Sequence, residues 1–565
     1  MDINPNSVEI CKLRLWIELL KNSYYLTQAS EGFDEKLPDS YHQMQTLPNI
    51  DINIKCGNSL ISRFSLQDSL RHIPNIDKQI KDYQKLVLDY KHSDQSELKA
   101  SKKDIESKIT NLKETFKLTL KDPKTKASLE KAIKNHIRDF GMFMLDDESL
   151  LDGIGGYIGN LFDDKNLSDE EQKQAAASYA NIKYLRHKLD SALSGEEYKN
   201  AFEWRFEFPE VLDSNGDFMG FDLIIGNPPY GNLNKLITKQ VIESAFPHSY
   251  FGEISSNFAE LAHTLIKQRA RFSFVTSYAL LFSLAQSGLR NLLHSNYKHI
   301  QISSYDRDGS PQFDKMSQSV CILFADSKAH KQKAVFRTSN FVRQKIPHEE
   351  LEFSKVDDLL LIGDELGKDF SQRHRVPKIG SFKNLELLKY LKKLPNKLGN
   401  LFGGDECLYI RTSGNYWYNA FLEIPYQSTE IKSFSVSNKY FVFCLINSNV
   451  YYWWLRIYGD GRHNNKDIMD SFRLPKMELI NKYDDLWKEL ALSHWSKMKS
   501  VFNAQHNFFA TSQIKDSVDI LDYHICLKVL GFDMKTLTYI CDYDSNIRGG
   551  LKCDFKKMER KTKKK

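Results

Sequence analysis

The sequence predicts an α/β protein, and three observations along its 565 residues support that fold class. Between residues 218 and 330, short apolar runs alternate with helical patterns, which is typical of a parallel sheet covered by helices. Residues 70–147 have a highly charged, helical pattern. Beyond residue 375 the spacing becomes irregular and aromatic-rich. A chain of this length is expected to form about three domains.

The first 60 residues predict a helix and then a strand. Asn4 can cap a helix and Pro5 suits its first position, and apolar residues follow at helical spacing from Val8 to Leu19. Ile50, Ile52 and Ile54 then alternate with polar residues, which predicts a strand that ends at residues 56–59.

Residues 70–147 predict a long helical hairpin inserted into the rest of the fold, because Glu/Lys pairs at helical spacing run through the segment. The glycines between Gly153 and Gly159 lack the spacing and the preceding strand of a dinucleotide-binding loop, so we interpret them as a turn. Another helix is expected from Ser168 to about Leu193.

The α/β part begins with Phe221–Gly226, a short apolar run of the kind found in buried parallel strands. The next elements alternate, and the last two strands are close enough to pair as an antiparallel edge. They are a helix at Asn257–Arg269, a strand at Phe272–Thr276, a helix near Ser287–His294, and strands at Ile300–Ser303 and Ser319–Phe324.

Residues 375–550 predict a separate α+β domain, with one short helix at Asn384–Leu394 and aromatic-rich segments at Tyr409–Phe421 and Phe434–Tyr458. The final segment, 551–565, has eight basic and two acidic residues and therefore carries the whole net charge of +6. Such a tail can add salt-sensitive affinity for phosphates, or it can be a solvated terminus.

Composition excludes several classes of protein. The chain is 41% hydrophobic and 27% charged, which is a globular balance. No apolar run is long and uninterrupted enough to span a bilayer, and the start has no signal peptide, so we expect a cytoplasmic protein. None of the eight cysteines forms a Cys-x-x-Cys pair, so the sequence indicates no metal site and no disulfide scaffold.

The strongest chemical signal is Asn227-Pro228-Pro229-Tyr230, directly after the apolar strand. An amino group on an aromatic ring is a poor nucleophile because its lone pair is delocalised. The Asn227 side-chain oxygen and the Pro228 carbonyl can accept its two N–H groups. The two prolines stiffen the loop, and Tyr230 offers a flat face for stacking.

Phe221–Tyr230 (FDLIIGNPPY) resembles motif IV of the N6-adenine DNA methyltransferases. Residues 2–16 resemble the segment after the second strand (motif II) of type IIG restriction–modification methylases. Residues 54–60 resemble their motif III, and residues 203–211 resemble the lead-in to motif IV. The resemblance covers roughly 1–65 and 200–330.

The resemblance implies methyl transfer from S-adenosylmethionine to a flipped adenine in double-stranded DNA. Asn227, Pro228, Pro229 and Tyr230 are then the catalytic residues. Asp2 and Asn58 would bind the cofactor, and Phe313 would stack on the target base with Tyr230.

The domain organisation implied by the resemblance is an incomplete Rossmann-like methyltransferase sheet with a helical insertion, followed by an α+β DNA target-recognition domain. Its parts are core residues 1–65 (motifs II–III), the insertion 66–200, core residues 201–330 (motifs IV–VIII), the recognition domain 375–550 and the basic tail 551–565.

The chain departs from the family pattern at its start. The family's first strand and its Phe-x-Gly-x-Gly loop are not found, and motif II begins at residue 2. We therefore expect either an N-terminally truncated enzyme completed by a separate polypeptide, or a remnant that is inactive alone. No nuclease constellation is recognisable, so restriction cleavage is not expected.

Two other functions remain open on the sequence. Methyltransferases for protein glutamine or for RNA also use Asn-Pro-Pro-Tyr, although the large region after residue 375 favours DNA. A catalytically inactive DNA-binding module would instead use basic residues of that region, namely Arg411, Arg456, Arg462, Lys466 and Arg473.

Overall fold

The structure is a computed structural model, and its described residues form two compact units. The first unit comprises Met1–Phe221 with Gln240–Ile242, and the second comprises Asp222–Lys239 with Glu243–Lys565. The described residues are 4–21, 51–62, 66, 75–92, 101–119, 123–141, 168–194, 201–232, 239–249, 253–315, 318–329, 333–344, 350–362, 374–414, 420–549, 552, 553 and 555. No helix among them is long and apolar enough to cross a bilayer.

The first unit is helical, as the charged segment predicted. Its helices are α1 (Pro5–Lys21), α2 (Ile76–His92), α3 (Lys102–Thr119), α4 (Pro123–Phe140), α5 (Asp169–Ser194) and α6 (Trp204–Glu207). Apolar residues three or four positions apart place Ile80, Tyr83 and Val87 on one buried face of α2. That face packs against Ile109 of α3 and Phe206 of α6.

The strand predicted at residues 50–54 is wrong for the described residues 51–54. Asp51–Asn53 form one 3₁₀ turn, and the pairing nearby consists of isolated bridges, among them one between Asn58 and Ala201. Ile52 is buried and Asn53 is exposed. A strand needs a neighbouring strand for its backbone N–H and C=O groups, and isolated bridges do not provide one.

A six-stranded sheet organises the beginning of the second unit. Its spatial order is β1-β2-β4-β3-β5-β6. Its strands are β1 (Phe221–Gly226), β2 (Ile266–Ser277), β3 (Tyr297–Tyr305), β4 (Val320–Lys328), β5 (Val335–Val342) and β6 (Ser354–Lys355). The helices between them are α7 (Lys239–Ala245), α8 (Ile254–Leu265), α9 (Ala279–Phe282) and α10 (Ser287–Asn296).

The sheet is mixed rather than parallel. β4 pairs antiparallel with both β2 and β3, with Phe274 opposite Leu323 and Ile302 opposite the same residue. Only the β3–β5 pair is parallel among the registered pairs of the described strands. The antiparallel pairing of the strands at 300 and 320 is confirmed, but β4 lies inside the sheet, because β2 pairs with its other side.

The expectation that Phe221–Gly226 is a buried strand is half right. The segment is β1, but it lies at the edge of the sheet formed by the described residues. Leu223 is 52% exposed and Ile225 is 73% exposed. An apolar run alone cannot distinguish an edge strand from a central one, since that depends on which other strands are present.

The chain beyond residue 375 has the predicted α+β content but shares the sheet's hydrophobic core. One continuous cluster of buried side chains extends from Ala259 to Phe555. The packing therefore has no break at the domain boundary expected near residue 375. The additional helices are α11 (Phe382–Lys392), α12 (Lys439–Ile446), α13 (Asn449–Tyr458), α14 (Lys466–Asp470), α15 (Met477–Asn481), α16 (Asp484–Ser500), α17 (Lys515–His524) and α18 (Met534–Asp542), with a π-helical segment at Ile525–Val529.

Short strands complete this region. They are β7 (Leu361–Ile362), β8 (His374–Arg375), β9 (Asn396–Lys397), β10 (Phe402–Arg411), β11 (Ala420–Phe421), β12 (Ile431–Val436), β13 (Arg473–Leu474), β14 (Phe502–Asn503) and β15 (Phe508–Phe509). α13 is buried along its whole length.

The N-terminus of the buried helix α13 is held by a buried carboxylate, Asp522 of α17. Asp522 accepts hydrogen bonds from the Asn449 and Val450 backbone N–H groups, each at 3.0 Å, which satisfies helix donors that have no partner within the helix. Burial raises the pKa of Asp522 to about 7; the Asn449 and Val450 N–H groups lower it, while Asp519 raises it.

We expect the stability of the second unit to fall as the pH rises through this range. The folded-state pKa of Asp522 lies above the unfolded value of about 3.9, so the folded chain binds the extra proton between about pH 4 and 7. This contribution is present below pH 4 and is lost as the pH approaches and passes 7. Asp522→Asn should show a smaller decrease in melting temperature between pH 5 and pH 8 than the wild type. The exposed Asp485→Asn is the matched control, and equal pH dependence in all three proteins would contradict the assignment.

Candidate functional site

The Asn227–Tyr230 loop leaves the end of β1 and is shaped by close packing behind it. Asn227 is exposed, Pro228 is buried and Tyr230 is half-buried. Gly226 lies directly against the buried ring of Phe274 in β2, because a Cβ at this position would lie 2.8 Å from the Phe274 Cε1 atom. Gly226 has no side chain, so it lets the loop begin in direct contact with β2.

Tyr230 and Asn227 are joined within the loop. The Tyr230 hydroxyl donates to the Asn227 Oδ1 atom at 2.7 Å, and it also lies 3.3 Å from the Val275 carbonyl oxygen of β2. Burial raises the pKa of Tyr230 to about 12, helped by the nearby Cys321 and Glu253 groups. The phenol therefore stays protonated and remains a donor at neutral pH.

The loop's far end is fixed to the start of α8. The Glu253 Oε1 atom accepts from the Gly231 N–H at 3.2 Å, and the Ile254 N–H donates to the Gly231 carbonyl at 3.1 Å. An antiparallel bridge also joins Asn232 to Glu253. The loop is thus held at both ends by elements of the second unit.

A cavity of about 340 Å³ opens beside this anchor at the ends of β2 and β3. It is lined by polar, charged and aromatic side chains, including Glu253, Ser277, Tyr278, Asp306 and Arg462. Its volume is in the range of small-molecule sites. Asn227 and Tyr230 do not line it themselves, and Glu253 connects the cavity to their loop.

The structure does not bring the other predicted site residues into this arrangement. Asp2 lies outside the described residues. Asn58 lies in a turn of the first unit, where its Oδ1 atom accepts from the Leu60 N–H at 3.2 Å. Phe313 lies in the loop between β3 and β4 and is 42% exposed, and no described hydrogen bond or ring contact joins it to Asn227 or Tyr230.

Of the basic residues considered for DNA contact, Arg456 belongs to the interior. Its side chain is 4% exposed, lies 5.0 Å from the Phe341 ring centre and donates to the Gly461 carbonyl at 2.8 Å. Arg411 lies 3.4 Å from Glu430, and Lys466 lies 2.5 Å from Asp470. Arg456 lies on α13, within the aromatic-rich segment Phe434–Tyr458, and is buried with that helix.

Sequence spacing missed a cluster formed by Asp519, Cys541 and Cys553. Their carboxylate and thiol atoms lie within 4.8 Å of one another, although the two cysteines are 12 residues apart. Lys515 already pairs with both Asp519 oxygens at 2.8 Å. The Lys515 ammonium thus supplies the positive charge beside the carboxylate, and we assign the cluster a packing role.

Comparison with known proteins gives one family. Residues 1–310 match the Eco57I restriction-modification methylase family. Over 306 residues, the chain is 24% identical to a Methanocaldococcus jannaschii protein named as a type II restriction enzyme and methyltransferase. That match covers 52% of this chain and 23% of the relative, so the chain spans about a quarter of the relative's length.

Two solved structures show weaker likeness. The type IIL restriction-modification enzyme MmeI in complex with DNA is 12% identical, with 79% of this chain and 78% of that chain covered and a TM-score of 0.34. The type IIG restriction endonuclease BpuSI is 12% identical, with 50% and 52% covered and a TM-score of 0.21. Scores at this level carry no argument about the site.

Gly226→Ala tests the close approach of β1 to Phe274. The added methyl group would overlap a buried ring that has little room to move, so we expect a loss of stability of about 1–3 kcal/mol. Thermal unfolding followed by circular dichroism measures this loss. In the Phe274→Leu background, where the ring is absent, Gly226→Ala should lower the stability by less than it does in the wild type. If the alanine costs the same in both backgrounds, the predicted steric conflict is wrong.

Proposed function

Because the chain belongs to the Eco57I restriction-modification methylase family, we propose that it is a site-specific DNA methyltransferase that methylates the N6 atom of adenine. The observation that carries the proposal is the exposed Asn227 Oδ1 atom, which lies 2.7 Å from a hydroxyl donor on a loop fixed to β2 and α8. An amino group placed within hydrogen-bond distance of this oxygen would meet the same acceptor through its second lone pair.

The acceptor geometry suits an aromatic amine. Asn227 Oδ1 would accept one N–H of the amino group, and the Pro228 carbonyl would accept the other. The two acceptors draw the nitrogen toward a tetrahedral shape, which frees its lone pair for attack. The Tyr230 ring supplies a flat face, and stacking of a base on such a ring contributes about 1–3 kcal/mol.

The Tyr230–Asn227 hydrogen bond uses one of the two lone pairs of the acceptor proposed for the substrate. The Asn227 oxygen can therefore accept from the substrate's amino group beside the phenol, or from the amino group alone once the hydroxyl turns away. Val275, whose carbonyl oxygen lies 3.3 Å from the hydroxyl, offers an alternative acceptor. The ring can therefore stay near its position while its hydrogen-bond partner changes.

S-adenosylmethionine, which the family implies, supplies an electrophilic methyl group on sulfur. Asn58, whose Oδ1 atom accepts from the Leu60 N–H, stays a prediction as a cofactor-binding residue. Asp2, predicted to bind the ribose hydroxyls, stays a prediction. Completion of the cofactor site by a separate polypeptide also stays a prediction.

No general base is required of the protein. The adenine nitrogen becomes cationic as it gains the methyl group, and a proton then leaves it for water. The Tyr230 phenol, with its pKa near 12, stays neutral and does not compete for that proton. The protein's work is to extrude, orient and hold the base, and extrusion costs a few kcal/mol.

Asn227→Ala tests the proposed reaction. The chain is expressed together with the polypeptide encoded directly upstream, which is predicted to complete its cofactor site, in a host whose DNA lacks methylated bases. The nucleosides of the host DNA are separated by liquid chromatography and identified by mass spectrometry. We expect N6-methyladenine with the wild type and with the exposed-residue control Asn481→Ala. Asn227→Ala should reduce it at least 100-fold, because loss of one preorganised hydrogen bond to the reacting group costs about 10²–10³ in rate. Methylated cytosine, or no methylated base with the wild type, would overturn the proposal.

Substitutions of Tyr230 separate its ring from its hydroxyl. Tyr230→Phe keeps the stacking face and leaves Asn227 Oδ1 free, so methylation should stay within about threefold of the wild type or rise. Tyr230→Ala should lower it by about 10-fold or more through lost stacking. The same nucleoside measurement reports both. An equal loss in the two variants would show that the hydroxyl, rather than the ring, carries the function.

A further inference from the structure

One carboxylate, Glu253, ties the Asn227–Tyr230 loop to the elements behind it. The Glu253 Oε1 atom accepts from the Gly231 N–H at 3.2 Å and from the Ser255 hydroxyl at 3.3 Å. Gly231 directly follows Tyr230 in the chain. This oxygen therefore fixes the Gly231 N–H, while the Ile254 N–H fixes the Gly231 carbonyl at 3.1 Å.

Ser255 extends the same chain of hydrogen bonds to β2. The buried Ser255 hydroxyl oxygen accepts from the Thr276 hydroxyl at 2.9 Å and from the Ser277 N–H at 3.3 Å. The Tyr230 hydroxyl reaches the preceding residue of the same strand, Val275. The carboxyl end of β2 thus fixes the loop directly through Tyr230 and indirectly through Ser255 and Glu253.

A charged carboxylate at the position of Glu253 has a desolvation cost. Burial raises the pKa of its carboxyl, against the hydrogen bonds from Gly231 and Ser255 that lower it. It also lines the 340 Å³ cavity. A neutral hydrogen-bond acceptor of the same shape would avoid this desolvation cost. The test must therefore separate the position of the acceptor oxygen from its charge.

We propose that Glu253 is a positioning residue for methyl transfer: it sets the Asn227 and Tyr230 side chains by fixing Gly231 against α8 and β2. This inference rests on the proposed function. A displacement of about 1 Å at a reacting centre can cost 10²-fold in rate, so losing the anchor should lower kcat by about 10- to 100-fold with a smaller change in KM.

Three variants of the whole chain test the assignment. Glu253→Ala removes the acceptor. Glu253→Gln keeps a side-chain oxygen of the same reach, which can accept from both Gly231 and Ser255. The exposed Glu386→Ala on α11 is the matched control for loss of a carboxylate. Methyl transfer from tritiated S-adenosylmethionine to unmethylated DNA, measured with the polypeptide predicted to complete the cofactor site present, gives kcat and KM. Hydrogen–deuterium exchange of peptides containing residues 227–232 in the chain alone reports the loop itself.

The expected result is faster exchange in residues 227–232 and a 10- to 100-fold lower kcat for Glu253→Ala, with both values near wild type for Glu253→Gln and Glu386→Ala. Unchanged exchange in Glu253→Ala would overturn the positioning role. Faster exchange with an unchanged kcat would overturn its link to catalysis, and equal loss in Glu253→Gln would overturn the role of the oxygen geometry. A wild-type chain that transfers no methyl group contradicts the proposed function alone, because the exchange measurement still decides whether Glu253 anchors the loop.

Discussion

The contact between the end of β1 and β2 is the constraint on which the candidate site depends. Gly226 lets the backbone lie directly against Phe274. The next residue, Asn227, is exposed and is followed by the two prolines. A loop that leaves an edge strand has a neighbouring strand on one side only, so its orientation must come from specific bonds. The hydroxyl of Tyr230 and the carboxylate of Glu253 provide them, and both bonds lead to β2.

The same strand connects the site to the rest of the second unit. β2 is paired over Phe272–Ser277 with the internal strand β4, and the core beneath them continues without a break to the helices beyond residue 375. The buried aromatic helix α13 belongs to that core, and its C-terminal residues lead to Gly461 and Arg462, which line the cavity. The later part of the chain therefore forms one wall of the cavity and also supports the sheet.

Sequence patterns predicted those features that depend on local chemistry. The helices of the first unit follow from apolar spacing, and the strands and helices between residues 254 and 328 lie close to their predicted positions. The order of strands in the sheet could not be predicted, because the position of β4 between β2 and β3 depends on pairing between distant segments. For the same reason the alternation around Ile52 predicted a strand, although this buried residue lies in a turn.

The site residues differ in the same way, because some have a local sequence signature and others depend on distant contacts. The Asn-Pro-Pro-Tyr loop carries its own chemical signature, so four consecutive residues identify it. Glu253 has no local signature, since its importance comes from a hydrogen bond to a residue 22 positions earlier in the chain. The tyrosine's hydrogen bond to Asn227 adds a further consequence. The Asn227 oxygen keeps a second lone pair, so a ligand with both a flat ring and an amino group gains stacking and a hydrogen bond, whereas a ring without an amino group or an amine without a ring gains only one of them. The loop thereby favours an aminated aromatic base over either partial mimic.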